Sequence, residues 1–309
     1  MGEEQQDFLQ KTHRQVITAP DNAFGVVVAM TSRGLKISTD RFEAAVAAVD
    51  PDLRALWRDP IDDVEAARRV VLHNAGVNGK THKWVKLPDA VTGNLRSSTR
   101  WGLLATTPEG DEAKGEHVGR LSLDTSGPAA VFDASDLPTD AMKAEVTRAF
   151  AMYRTNFLTP DVTEGFAKAC AKANAVQWGG HGHLYFVPPE SLPLVQKAVD
   201  IVRDACGRSG VAWWFPCLRD DESHVEVARE AIQDDLEATI TQVEQWVRAR
   251  DDAERGPSAR GLTARLDEVV AARDKLDLYQ GLLTFKADAL QQRIADLNVL
   301  LPILIRCAG

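Results

Sequence analysis

Apolar residues along this chain follow three rhythms, and each predicts a different kind of element. Phe24-Gly-Val-Val-Val-Ala-Met30 is a short continuous apolar run, and Leu35-Lys-Ile37 alternates. With Ser32-Arg-Gly34 between them, the two predict a β-hairpin on a glycine turn. From Asp40 the spacing becomes helical. Phe42, Val46 and Val49 share a face, and Asp50-Pro51 ends the helix. A short helix over Leu53 to Trp57 follows. A third, from Asp62 to Asn74, turns Val64, Ala67, Val71 and Leu72 inward. Residues 83–133 read as mainly β. Trp101 to Thr107 and His117 to Leu123 form a hairpin around an acidic loop, Pro108 to Glu116, and Ala129 to Phe132 adds a strand.

Helical spacing returns from Thr139 to Phe157, with Thr139 as N-cap and Met142, Val146, Ala149 and Tyr153 as one stripe. Next come a helix over Asp161 to Asn174, strands over Ala175 to Trp178 and His183 to Val187, a helix from Ser191 to Cys206 closed by Gly207, and a strand from Val211 to Phe215. That α-β-β-α-β order is an α+β pattern, not a wound parallel sheet. The third rhythm begins at Ser223-His-Val-Glu226, a capping-box pattern. Val225, Ile232, Leu236, Val243 and Trp246 share one helix face before Gly256-Pro257. Leu262, Leu266, Val269, Leu276, Leu283, Ala287, Leu290, Ile294, Leu297 and Leu301 then keep 3–4 spacing, interrupted by Arg273 and Gln280. The expectation is a long antiparallel, coiled-coil-like C-terminal helical hairpin of about six and then about eleven turns, with Pro302 stopping or kinking it. The predicted fold class is α+β: a mixed body with β-hairpins (residues 1–158), a small α-β-β-α-β unit (159–220) and the helical hairpin (221–309).

Composition narrows the function classes. The 309 residues carry a net charge of −9 and a globular share of apolar residues. No apolar run approaches the ~20 residues of a membrane helix. The polar, acidic N-terminus is unlike a secretory signal, and Gln6 stands where myristoylation favours Ser or Thr. The expected location is the cytoplasm, with no membrane partner. Cys170, Cys206, Cys217 and Cys307 are scattered without a CxxC pair, which argues against a zinc ribbon or a disulfide framework. Nucleophile-elbow, Walker and dinucleotide-binding glycine patterns are missing from the sequence, so no catalytic residue and no cofactor are assigned.

Four constellations carry candidate chemistry. His181 and His183 stand at i, i+2, the spacing that turns both imidazoles to one face of a strand; with His224 or Cys217 they would form a metal site of a hydrolase. Asp220-Asp221-Glu222 suits a hard cation, although acids before a helix also complement its dipole. Arg68, Arg69, Lys80, Lys83, Trp84, Lys86, Arg96 and Arg100, with Trp101, form a basic, tryptophan-interleaved window suited to phosphates and bases, so nucleic acid is an alternative partner. The fourth is the C-terminal seam. Leu276, Leu283, Leu290, Ile294 and Leu297 need covering, and a second copy or a partner protein would cover them.

Gly179-Gly180, the strand Leu184-Tyr-Phe-Val-Pro188, the strand ending at Pro216, Asp220-Asp221 and a helical tail together resemble a family of prokaryotic and phage-borne proteins with no assigned activity. The likeness spans roughly Ala141 to Val247, and this chain departs from it by inserting His181-Gly-His183. The resemblance implies a phage or mobile-element setting and a non-enzymatic role. The functional expectation is therefore a scaffold or interaction protein that self-associates through its C-terminal helices. Nucleic-acid binding through the basic window and a His181/His183 metal-dependent hydrolase are the alternatives.

Overall fold

A computed structural model describes residues 22–31, 34–79, 81–88, 93, 98–109, 112–127, 129–178, 184–208, 211–251, 258–283 and 287–308. The fold is α+β, with antiparallel sheets and three long helices at the C-terminal end. Its contacts divide it into two units: residues 34–47 with 58–162, and residues 1–33 with 48–57 and 163–309.

The first unit is built on an antiparallel sheet of β3 (His82–Lys86), β4 (Arg100–Glu109), β5 (Glu112–Asp124) and β6 (Val131–Asp133), in that order. The hairpin expected around residues 108–116 forms, but its strands run further toward the tip than the alternation suggested. Trp84, Trp101, Leu103, Leu121 and Leu123 join α2 (Asp63–Leu72) and α3 (Asp140–Thr155) in one core. Asp62 and Thr139 N-cap these helices, their side chains accepting from Glu65 N–H at 2.7 Å and Met142 N–H at 3.2 Å. The buried face of α2 is Ala66, Ala67 and Val70, whereas Leu72, expected inside, is exposed. Ala66 and Ala67 let α2 approach its neighbours closely, with Val70 buried beside them and Val64 and Val71 packed at the margin of the core.

In the same unit β2 (Lys36–Ser38) pairs with β7 (Asn156–Leu158), and Phe42 of α1 (Thr39–Val49) packs on Phe157 with ring centroids 4.5 Å apart. This corrects the hairpin expected from residues 24–37. β1 (Ala23–Met30) pairs instead with β9 (Leu184–Val187) and β10 (Ala212–Leu218). An apolar run flanked by a glycine turn specifies a strand, but not its partners.

The second unit contains that sheet, ordered β10-β1-β9-β8, with β8 at Val176–Gln177. By strand alternation Val26, Val28, Tyr185 and Val187 share one face, where Phe166 of α4 (Thr159–Lys172) meets Tyr185 edge-on. α5 (Leu192–Cys206) ends, as its sequence predicts, on Gly207 in the left-handed conformation, φ 67°. The opposite sheet face, through Phe186 and Cys217, joins the core of α6 (Glu222–Asp251), α7 (Ala259–Leu283) and α8 (Asp288–Ala308). The C-terminal region is thus three helices, not a two-helix hairpin. The 3–4 seam continues across the break between α7 and α8, so hydrophobic spacing alone reads the two as one.

Ion pairs set the register of these helices. Lys275 reaches Asp235 at 2.8 Å and Arg293 reaches Glu244 at 2.9 Å. Arg219 and Arg229 donate to the carbonyls of Leu282 and Leu283, at 3.0 and 2.8 Å, and so satisfy acceptors at the end of α7. Tyr279, fully buried on α7, donates its hydroxyl to Asn174 O at 2.7 Å. Among the described residues no helix is long and apolar enough to cross a membrane.

Candidate functional site

The predicted site residues go to different places. His181 and His183 lie outside the described residues, as do Lys80 and Arg96. His224 is in the first turn of α6, where its Nδ1 accepts the Leu218 N–H at 3.3 Å and lies 3.6 Å from Asp221. That contact satisfies an outward amide of edge strand β10. Asp221 is the N-cap of α6, accepting from the Ser223 hydroxyl at 2.5 Å and from the Ser223 and His224 amides. The Ser223 hydroxyl holds its carboxyl below the usual range, with the His224 amide adding to this. The N-cap expected at Ser223 is therefore at Asp221, two residues earlier, without the reciprocal half of a capping box, and Asp221 is occupied with capping. Among the described residues, no three His, Cys, Asp or Glu side chains converge on a common metal position.

The basic window separates as well. Trp84 and Trp101 are 8% and 4% exposed, in the core rather than open to bases. By alternation and register, Lys83 and Arg100 share the outer sheet face with Arg120, and Lys86 is on the Trp84 side. Lys83 pairs with Leu104, so Arg100 is displaced from it by about 13 Å along the strand. Arg68 is exposed beside Glu65. Arg69 turns inward to Asp161, and its pKa is raised chiefly by that hydrogen bond.

Asp161 is the one buried charged side chain among the described residues. It is 2% exposed and accepts from Arg58 Nε at 2.6 Å, from Arg69 at 2.8 and 3.0 Å, and from Leu158 N–H at 2.8 Å. Burial pushes its pKa up, but Arg58, Arg69 and the Leu158 amide outweigh it and bring the carboxyl down to about 2. The Leu158 contact is the backward half of a capping box at the start of α4. This cluster has its charges matched internally and reads as an anchor of the fold.

The seam residues are covered within the chain. Leu276, Leu283, Leu290, Ile294 and Leu297 are each 5% exposed or less, in one core with α6. They are therefore not a face that a second copy could share. The thiols are placed similarly. Cys170 and Cys217 are buried, and burial raises both pKa values, that of Cys217 to about 11.

Among the described residues, two groups of neighbouring large apolar side chains are exposed, and hydrophobic spacing singled out neither. On the sheet of the second unit, register places Trp213 beside Ala29 and Leu184, and Phe215 beside Val27 and Phe186. Phe186 is covered, whereas Trp213 and Phe215 are each 54% exposed and Leu184 is 39% exposed. Leu184 and Phe215, with Trp178, Cys217 and His224, border a shallow depression of about 200 Å³. β10 is an edge strand of this sheet. The bonds Thr31 N–H to Val211 O and Arg219 N–H to Asn22 O turn the odd-numbered amides toward β1. Pro216 has no N–H and His224 takes that of Leu218, so among the described residues the outward amides left on β10 are those of Ala212 and Trp214.

The second surface is the outer side of α8. Val299, Leu300 and Ile303 are 65%, 40% and 46% exposed, opposite the buried Leu290, Ile294, Leu297 and Leu301. A signal for this face was present. Asp296, Val299, Ile303 and Arg306 follow a 3-4-3 spacing of their own, parallel to the stronger seam.

No curated protein and no solved structure matches the chain. Residues 108–305, which include the β4–β5 hairpin tip, the β8–β10 strands and nearly all of the three-helix region, match the family of unknown function DUF6744, and the chain belongs to that family.

Proposed function

We propose that this protein is a non-enzymatic interaction or scaffold protein that self-associates through its C-terminal helices. One observation carries the reading. After the bundle has buried its seam, α8 still holds three large apolar side chains, Val299, Leu300 and Ile303, in solvent. Exposed apolar groups are common one at a time; a cluster on consecutive turns of one helix favours a contact that covers it. The resemblance carried by the glycine-rich strand region supports a cytoplasmic phage or mobile-element setting for such a scaffold. Sedimentation equilibrium of the full chain tests the proposal. A mass that rises with concentration is expected, and a strict monomer at the highest soluble concentration refutes it.

A second reading is favoured by β10. Its open Ala212 and Trp214 amides, next to Trp213 and Phe215, suit addition of an extended apolar segment from a partner protein. Such a segment would gain main-chain hydrogen bonds and cover the two aromatics. Trp213→Ser and Phe215→Ser should weaken capture of an extended apolar peptide while leaving the mass distribution unchanged. Equal binding by wild type and the double variant would end this reading.

A further inference from the structure

We infer that the occupant of the outer α8 face is α8 of a second copy, packed antiparallel about a two-fold axis at Leu301; this rests on the self-association reading and gives it a geometry. In an antiparallel helix pair related by a two-fold axis, positions equidistant from the axis face each other. Val299 and Ile303 lie two residues either side of Leu301, and Asp296 and Arg306 lie five either side. Val299 therefore meets Ile303 of the partner subunit, and Asp296 meets the partner's Arg306. Both contacts occur twice. The stripe is self-complementary in shape and in charge.

The charges also choose the direction. A parallel pair in register would bring like charges together at both ends, which opposes association. Neither side chain is engaged in an ion pair elsewhere among the described residues. Asp296 accepts from Gln292 at 2.8 Å, and Arg306 Nε donates to Pro302 O at 3.3 Å. A cation in the last turn of a helix suits the dipole by itself, which accounts for Arg306. It does not account for Asp296 in mid-helix, aligned on the same exposed stripe as Val299 and Ile303. An unrelated partner would need to match this order of acid, apolar, apolar and base, whereas a second copy supplies it by symmetry.

Three apolar side chains per copy fall well short of the ~800 Å² per partner of a standard interface. The dimer is accordingly expected to be weak, with a Kd of about 10 μM or higher.

Asp296→Arg and Arg306→Asp test this in the full chain, alone, combined in one chain and mixed as two chains. All four positions of the stripe are on the surface, and thermal melts establish that each variant folds. Each single variant should dimerise about tenfold more weakly, because two attractive contacts become repulsive. Combining both reversals in one chain should restore the wild-type constant. Mixing the two single variants should give a heterodimer that is tighter than the homodimer of either variant. If wild type self-associates but the single variants match it, or the mixture shows no preference, the two-fold α8 pairing is wrong and self-association stands. If wild type is monomeric throughout, both fail. Species larger than a dimer as the first associated form would also overturn the two-fold geometry.

Discussion

Replacing Asp161 with Ala removes one carboxylate and leaves Arg58 and Arg69 converging on the space it held. Deleting one member of a buried ion pair costs about 3–5 kcal/mol, because the remaining charge keeps its desolvation penalty without compensation. Two features place this site at the low end. Arg58 and Arg69 keep 19% and 17% of their side-chain surface in solvent, and Glu65 lies 3.6 Å from Arg69. A loss of about 3 kcal/mol is expected for Asp161→Ala. Asp161→Asn keeps an acceptor for the Leu158 amide and should lose less, about 2 kcal/mol.

The pH dependence gives a separate check. The folded pKa of Asp161, about 2, is below its ordinary 3.8. A depressed carboxylate stabilises the fold above its unfolded pKa, and that contribution disappears as pH falls toward the folded value. The shift corresponds to about 2 kcal/mol. The stability gap between wild type and Asp161→Asn should therefore be constant at neutral pH and shrink as pH falls from about 4 toward 2. Urea denaturation measures the gap, and hydrogen exchange over residues 58–162 assigns it to the unit that holds Asp161. A change within about 0.5 kcal/mol for Asp161→Ala would refute the reasoning, as would a gap that widens on acidification.

Other substitutions probe packing and chemistry. A Cβ on Gly165 would run into the Trp57 ring, so Gly165→Ala should lower the melting temperature although alanine favours helix by about 1 kcal/mol. A neutral or stabilising result would mean that the ring moves aside. Tyr279→Phe deletes the bond to Asn174 O and leaves that half-buried acceptor without the hydroxyl; a loss of about 1 kcal/mol in urea is expected. Cys170 and Cys217 should resist maleimide in the folded protein through mildly alkaline pH, since burial both shields them and raises their pKa values, while half-buried Cys206 should label before either of them. Mass spectrometry of the labelled peptides decides the order.

What the sequence disclosed divides by the range of the interaction. Thr139 with its helix and Gly207 with its left-handed cap are local, and both were readable because the residue that ends an element is adjacent to it. The partners of β1 were not readable. They are β9 and β10, far along the chain, and an apolar run satisfies many pairings equally well. Asp161 was visible only as a helix start, because nothing near it predicts that Arg58 and Arg69 converge there. The basic window failed for a related reason. Alternation places Trp84 and Lys83 on opposite faces of a strand, so cations and tryptophans that interleave in sequence separate in space.

The C-terminal helices meet the same limit, with a consequence for assembly. Spacing identified the seam residues correctly as apolar positions needing cover, but spacing cannot say whether the cover comes from the same chain. Here it does, since α6, α7 and α8 bury that seam together. A chain that has closed its own seam does not need a partner in order to fold. Any association must then use the surface left outside, and on α8 that is a short stripe separate from the seam. Association through so small a surface adds little to stability and depends steeply on concentration. Assembly through the seam itself would link folding to oligomerisation, with a melting temperature that rises with protein concentration. Assembly through the outer stripe predicts a melting temperature almost independent of concentration over the range in which the mass changes.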